Sequence, residues 1–219
     1  MSLKKEGYKD RIIDDKIKKN LKLFGAISLE GPKWCGKTWT ALNHANSVVY
    51  LNNVSNNFNE RALAKMNVDL ILNKEYPELI DEWQEVPAIW DGIRFKCDED
   101  QKRGKYILTV SATPVTKDIH HSGAGRICRI KMYTMSLYES GDSSGKVSLK
   151  SLFENNVKDE LTGKVDLKNL IQLIIRGGWP QSIGMGEEES LELTQSYIND
   201  VLNFDISNID GVTRDINKM

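Results

Sequence analysis

Several things are scarce in this chain. It has three cysteines in 219 residues, Cys35, Cys97 and Cys128, which are odd in number and far apart, and no C-x-x-C occurs. That spacing argues against a disulfide framework and a zinc site, and free thiols fit a reducing cytoplasm. No apolar run approaches the ~20 residues that a membrane-spanning helix needs, and no secretory leader opens the chain. The expectation is a cytoplasmic protein with no membrane partner. An excess of charge of one sign is missing too: 30 basic and 31 acidic side chains leave a net charge of −1. No overall basic field therefore points to nucleic acid or a membrane surface, although a local patch would be hidden in the total. No internal repeat is visible. His120 and His121 are adjacent but have no carboxylate or thiol at useful spacing, which makes a poor metal site.

What is present centres on Gly31 to Thr38, which reads G-P-K-W-C-G-K-T and fits G-x-x-x-x-G-K-[ST], the P-loop or Walker A pattern. Glycines let the backbone curl so that several N–H groups face a phosphate, a lysine reaches the outer phosphates and a hydroxyl takes a Mg²⁺. Those roles fall to Gly31 and Gly36, to Lys37, and to Thr38. Pro32, Lys33, Trp34 and Cys35 complete the loop, and Trp39 follows it. An apolar run from Phe24 to Glu30 leads in, and a stretch without breakers, Thr38 to Ala45, leads out, as strand and helix should. Trp34 could lie against the nucleotide or a partner. Cys35 is a candidate for oxidation or alkylation, or else a small loop filler.

Elsewhere strands alternate with helices. Residues 4–23 read as a lysine-rich amphipathic helix with Ile12, Ile13, Ile17, Leu21 and Leu23 on its apolar side; a phosphate-binding arm is the alternative. Ser47–Leu51, Leu79–Glu82, Tyr106–Ser111 and Arg126–Met132 read as strands, Pro87–Cys97 as a helix. Ser140 to Gly145 is turn-rich. It divides a P-loop core, 1–139, from a helical lid or linker region, 140–219, in which Leu167, Leu170, Ile171, Ile174 and Ile175 share an apolar face and Glu187 to Asn203 forms a further helix. The fold class is α/β, with a mostly parallel central sheet flanked by helices. Ligands on such sheets sit at the carboxyl ends of the strands, where the loop, Asp81-Glu82 and Ser111 would converge.

That convergence suggests phosphoryl transfer to water. Asp81 suits a Walker B aspartate holding Mg²⁺ with Thr38. Glu82 suits a general base for the attacking water, and alternation along the strand would keep the two acids apart. Ser111, or Thr109 two residues earlier, could touch the γ-phosphate or the water. Arg126 could stabilise transition-state charge in cis or in a neighbouring subunit. Trp39, Trp83 and Trp90 read as core rather than as base-stacking platforms.

G-P-K-W-C-G-K-T, L-I-D-E-W-Q, I-L-T-V-S-A, S-G-A-G-R and R-G-G-W-P, in this order from about Tyr8 to Pro180, resemble a family of prokaryotic AAA+-like P-loop ATPases. Its members carry an N-terminal P-loop domain and a C-terminal domain of unknown function. The resemblance implies an added strand between the P-loop strand and the Walker B strand. It also implies Lys37 and Thr38 in Walker A, Asp81 and Glu82 in Walker B, Ser111 as sensor, and Arg126 as arginine finger or sensor, with ATP and Mg²⁺ as ligands. Many relatives read T-G-S where this chain has Thr109-Val110-Ser111. Relatives also continue further, so the C-terminal domain is expected to be missing here. Two functions follow: an Mg²⁺-dependent ATPase that could form a homo-oligomer, or a nucleotide-gated module that binds protein or DNA with little turnover. A small-molecule kinase fits less well, because no arginine-rich acceptor lid is evident.

Overall fold

The computed structural model describes residues 3–111, 119–156 and 166–205. The chain forms two compact units, Met1–Tyr133 and Thr134–Met219.

In the first unit five strands make one sheet: β1 (Ala26–Glu30), β2 (Ser47–Tyr50), β3 (Glu78–Asp81), β4 (Tyr106–Val110) and β5 (Ile127–Lys131). Their order is β2-β3-β4-β1-β5, and each pairing among them is parallel. Parallel neighbours need crossovers. These contain α2 (Lys37–Leu42), α3 (Asn59–Met66) and α4 (Ala88–Asp100), and α1 (Asp14–Leu21) precedes β1. The expected α/β class is borne out. β4 lies between β1 and β3, so a strand does separate the P-loop strand from the Walker B strand.

The sheet is covered on both faces, which is why β1, β3 and β4 are buried along nearly their whole length, whereas the edge strands β2 and β5 are only partly buried. All of β4 is buried. Ile27, Leu29, Leu79 and Ile107 point into one core layer with Ile17 of α1 and Ala41 and Leu42 of α2. Ile80, Tyr106, Leu108 and Val110 point into the other with Ile89, Trp90 and Ile93 of α4. Trp83 and Trp90 are fully buried with ring centroids 5.0 Å apart, as expected of core residues. Trp39 corrects that expectation, being 46% exposed. The N-terminal helix is shorter than its pattern suggests: Ile17 is buried, whereas Ile12 and Leu23 lie outside α1 and are exposed.

In the second unit α5 (Leu137–Ser140), α6 (Leu149–Phe153), α7 (Leu167–Arg176) and α8 (Glu187–Asp200) are described. Ser136 and Glu139 close a reciprocal cap on α5. Arg176 is buried and donates to Asp142 Oδ2 at 2.8 Å. The rings of Trp179 and Tyr197 lie 4.4 Å apart. The residues of the expected apolar stripe lie on α7, but Leu167, Leu170, Ile171 and Ile174 are all exposed.

One buried acid lies far from the carboxyl rim. Glu78 begins β3, is fully buried, and its Oε1 has no hydrogen-bond partner among the described residues. Burial pushes its carboxyl up to about 7, against the weaker opposing effects of the Lys74 N–H and charge. Between its ordinary pKa of 4.5 and 7 the unfolded chain ionises this group and the folded chain keeps it protonated. The folded state then holds more proton, so stability falls as pH rises through that window, by about 3 kcal/mol from this group. Glu78→Gln should therefore gain about 2–3 kcal/mol on wild type between pH 5 and pH 8. Chemical denaturation at both pH values reads this directly, and a pH-independent difference would contradict it.

Candidate functional site: a phosphate cradle at the carboxyl rim

Strand register sets the site. Glu30 at the end of β1 lies opposite Val110 of β4 and Lys131 of β5. Ile80 pairs with Leu108, which brings Asp81 beside Thr109. The P-loop, Asp81-Glu82 and Ser111 consequently collect on one rim.

Loop geometry depends on two glycines in different ways. Gly36 has φ +97°, a left-handed turn into α2 that a side chain would strain. Gly31 is required by close approach: a Cβ there would lie 2.2 Å from the Met132 carbonyl oxygen. Pro32, Lys33 and Trp34 form the tip of the loop. Trp34 adopts φ +63°, an uncommon conformation for a bulky residue, and is 47% exposed. Cys35 is buried beneath the loop, and burial pushes its thiol pKa up. The filler reading therefore prevails over reactivity at this cysteine, since thiolate and access are both needed.

Lys37 is 4% exposed. Its Nζ donates to the carbonyls of Gly31 at 3.0 Å and Pro32 at 2.7 Å, folding back over its own loop. Burial lowers its pKa, while Cys35, Glu82 and Asp81 pull the other way.

Thr38 Oγ1 donates to Asp81 Oδ1 at 2.8 Å, and Thr109 Oγ1 donates to the same oxygen at 2.7 Å. Burial raises the Asp81 pKa, Glu82 adds to this, and the two hydroxyls and Lys37 oppose it. A buried carboxylate facing a loop hydroxyl is the oxygen donor pair that Mg²⁺ takes, so these residues fit that ion.

Glu82 is not a strand residue. β3 ends at Asp81, and Glu82 has φ +59°. The two acids are thus separated by a left-handed turn rather than by strand alternation. The Glu82 N–H donates to Thr109 Oγ1 at 3.0 Å, holding that turn. Its carboxylate accepts from the Ser111 hydroxyl on one oxygen and the Gln84 amide on the other. Ser111 reaches Glu82 with valine at position 110, an ordinary buried strand residue.

Arg126 is not brought to this rim. It precedes β5, whose first residue pairs with Ala26 at the start of β1. A strand of this length at ~3.3 Å per residue separates it from the cradle, roughly 16 Å. Its Nε donates to Asp98 at 2.7 Å. A cis role for Arg126 at the cradle is therefore corrected.

Sequence reading missed an N-terminal contact set. Arg11 is buried and donates to the carbonyls of Cys35 at 2.8 Å and Tyr133 at 2.9 Å. Asp14 accepts the Arg11 N–H at 2.7 Å, the Tyr8 hydroxyl at 2.9 Å, and shares a hydrogen with His44 Nε2 at 2.7 Å. Residues 4–23 do contain a contact to the loop, made by an arginine rather than by the lysine face. No motif spacing links Arg11 to Cys35. The only available signal was an acid, Asp14, where an apolar face was expected.

A parallel sheet with strand order β2-β3-β4-β1-β5 and a P-loop after β1 defines an α/β protein of the P-loop NTPase class. The AAA domain model matches residues 24–141, more than half of the chain, and the chain belongs to this family. No curated protein matches it. Among solved structures it is similar to the Walker-type ATPase PABY2304 of Pyrococcus abyssi, at 13% identity over 96% of this chain and 76% of that one, TM-score 0.46. It is also similar to AMPPCP-bound DnaA from Aquifex aeolicus, at 16% identity over 89% of this chain and 67% of that one, TM-score 0.41. Among the described residues no helix is long and apolar enough to cross a membrane.

Gly31→Ala should destabilise the first unit by about 1–3 kcal/mol, because the clash is with backbone. Thermal unfolding would detect this, and an unchanged melting temperature would contradict the close approach.

Proposed function

We propose that this protein binds ATP at Gly31–Thr38 and the adjoining Trp39, and hydrolyses it with Mg²⁺ as cofactor. The observation that carries the reading is the shared Asp81 oxygen, which joins the P-loop hydroxyl of Thr38 to the Walker B strand. Lys37 would leave the carbonyls of Gly31 and Pro32 for the β- and γ-phosphates, an exchange of neutral acceptors for charged ones. Thr38 and Asp81 would hold Mg²⁺, which when bound neutralises charge on the phosphate oxygens. Glu82 would accept the proton of the attacking water. Ser111 would orient the Glu82 carboxylate, which it already contacts. Pro32, Lys33, Trp34 and Cys35 would shape the cradle, and the half-exposed ring of Trp39 is available to the nucleoside.

The second reading, a nucleotide-gated module for a protein or DNA partner with little turnover, is favoured by one observation. Both Glu82 oxygens are already hydrogen-bonded, so the base must be released before it can act. One pair of variants separates the two readings. Lys37→Ala should abolish ATP binding in calorimetry. Glu82→Gln should bind ATP normally and lose roughly 10²–10⁴-fold in turnover. Unchanged turnover in Glu82→Gln would favour the gated module, and wild type that binds no ATP would remove both.

Arg126, distant from its own cradle, would serve a neighbouring copy in a homo-oligomer. Specific activity should then rise with protein concentration, and Arg126→Ala should lower kcat at least about tenfold without changing ATP affinity. Activity strictly linear in protein concentration would rule this out. The cytoplasm is the proposed location.

A further inference from the structure

We infer that Arg11 is a positioning residue for the phosphate cradle. This rests on the cradle being a nucleotide site. The peptide unit is planar and trans, so its C=O and the following N–H point in opposite directions. Arg11 Nη1 holds the Cys35 carbonyl at 2.8 Å, on the side of the loop that faces the N-terminal segment. The N–H of Gly36 in that same peptide is thereby turned to the opposite side, where a phosphate would sit. Gly36 is the residue with φ +97°, so this peptide has the most freedom to flip in the absence of a tether.

The tether is itself anchored. Arg11 Nη2 donates to the Tyr133 carbonyl at 2.9 Å, beyond the end of β5. Its backbone N–H is fixed by Asp14 Oδ2 at 2.7 Å. The other bonds of Asp14, to His44 Nε2 and Tyr8, attach the segment to the stretch that follows the loop, and the Tyr8 hydroxyl oxygen also lies 3.3 Å from Thr40 Oγ1, whose hydroxyl can donate to it. Partners held in place before the ligand arrives lower the ordering cost of binding. Arg11 therefore fixes a donor of the cradle without touching the ligand.

Two measurements on the full chain test this. The first is calorimetric binding of Mg-ATP and Mg-ADP, with steady-state KM and kcat, for wild type, Arg11→Lys and Arg11→Gln. Arg11→Gln should weaken both nucleotides about tenfold or more and raise KM in proportion, with kcat at saturating ATP within about twofold of wild type. Arg11→Lys, which keeps a charged N–H donor group, should recover most of the loss. Arg11→Gln that binds within about twofold of wild type overturns the inference. The second measurement needs no variant. Coupling is reciprocal, so saturating Mg-ADP should slow tryptic cleavage after Arg11 at least about fivefold more than cleavage after Arg103, which lies between α4 and the start of β4, at the opposite strand ends from the cradle. Equal slowing at the two sites overturns the inference even where Arg11→Gln fails to fold. Wild type that binds neither nucleotide removes the nucleotide reading itself, a result distinct from either of these.

Discussion

A single carboxylate oxygen, Asp81 Oδ1, accepts one hydroxyl from the P-loop helix and one from the central strand. Most of the rim depends on it. A carboxylate that is buried without partners is driven to protonate or is expelled. Here two short hydroxyl bonds oppose burial while leaving the acid with its pKa raised. The group is satisfied by the protein yet still favours a cation. Because Thr38 and Thr109 belong to different elements, the same pair of bonds also fixes the P-loop against β4. Sheet order makes this arrangement available: only with β4 between β1 and β3 can a β4 side chain meet the end of β3 beside the loop.

The cradle is held from further directions as well. Gly31 lies against the carbonyl that leaves β5, leaving no room for a side chain. Lys37 and Arg11 are both cations with little exposure, and both donate to loop carbonyls. Charged donors to neutral acceptors make stronger bonds than neutral pairs, so the loop backbone gains fixed geometry from two sides. The apolar layers on the two sheet faces supply a rigid base, and these polar contacts gather at the strand ends.

Strands β1 and β4 were legible because apolar runs bounded by turn residues carry their own signal, and β5 because its apolar and polar residues alternate. Lys37, Thr38, Asp81, Glu82 and Ser111 were legible because chemistry requires those types at those places. Register was not. Arg126 immediately precedes one strand and Ser111 follows the end of another, and in a parallel sheet that difference alone puts them on opposite rims. Arg11, Gln84 and the hub role of Thr109 depend on contacts for which one sequence has no spacing rule. Trp39 failed for a related reason. Aromatic residues are usually buried, but a helix that emerges from a loop at the rim turns one side outward.

The left-handed turn at Glu82 links these points. For a residue with a side chain that conformation costs on the order of 1 kcal/mol, and a strand that simply continued would avoid the cost. It persists because Thr109 accepts the Glu82 N–H while Ser111 and Gln84 engage its carboxylate. Thr109 lies in β4 and its hydroxyl also holds Asp81 at the end of β3, and Ser111 comes directly after β4. Any shift of β4 relative to β3 would alter the metal-type carboxylate and the candidate base together. Gln84 adds a further constraint, since its Oε1 is buried without a partner among the described residues. An unpaired buried acceptor is costly, and swinging the amide toward a donor would recover that cost and release one Glu82 oxygen at the same time. The resting arrangement is therefore the one that Glu82 must leave in order to act as a base.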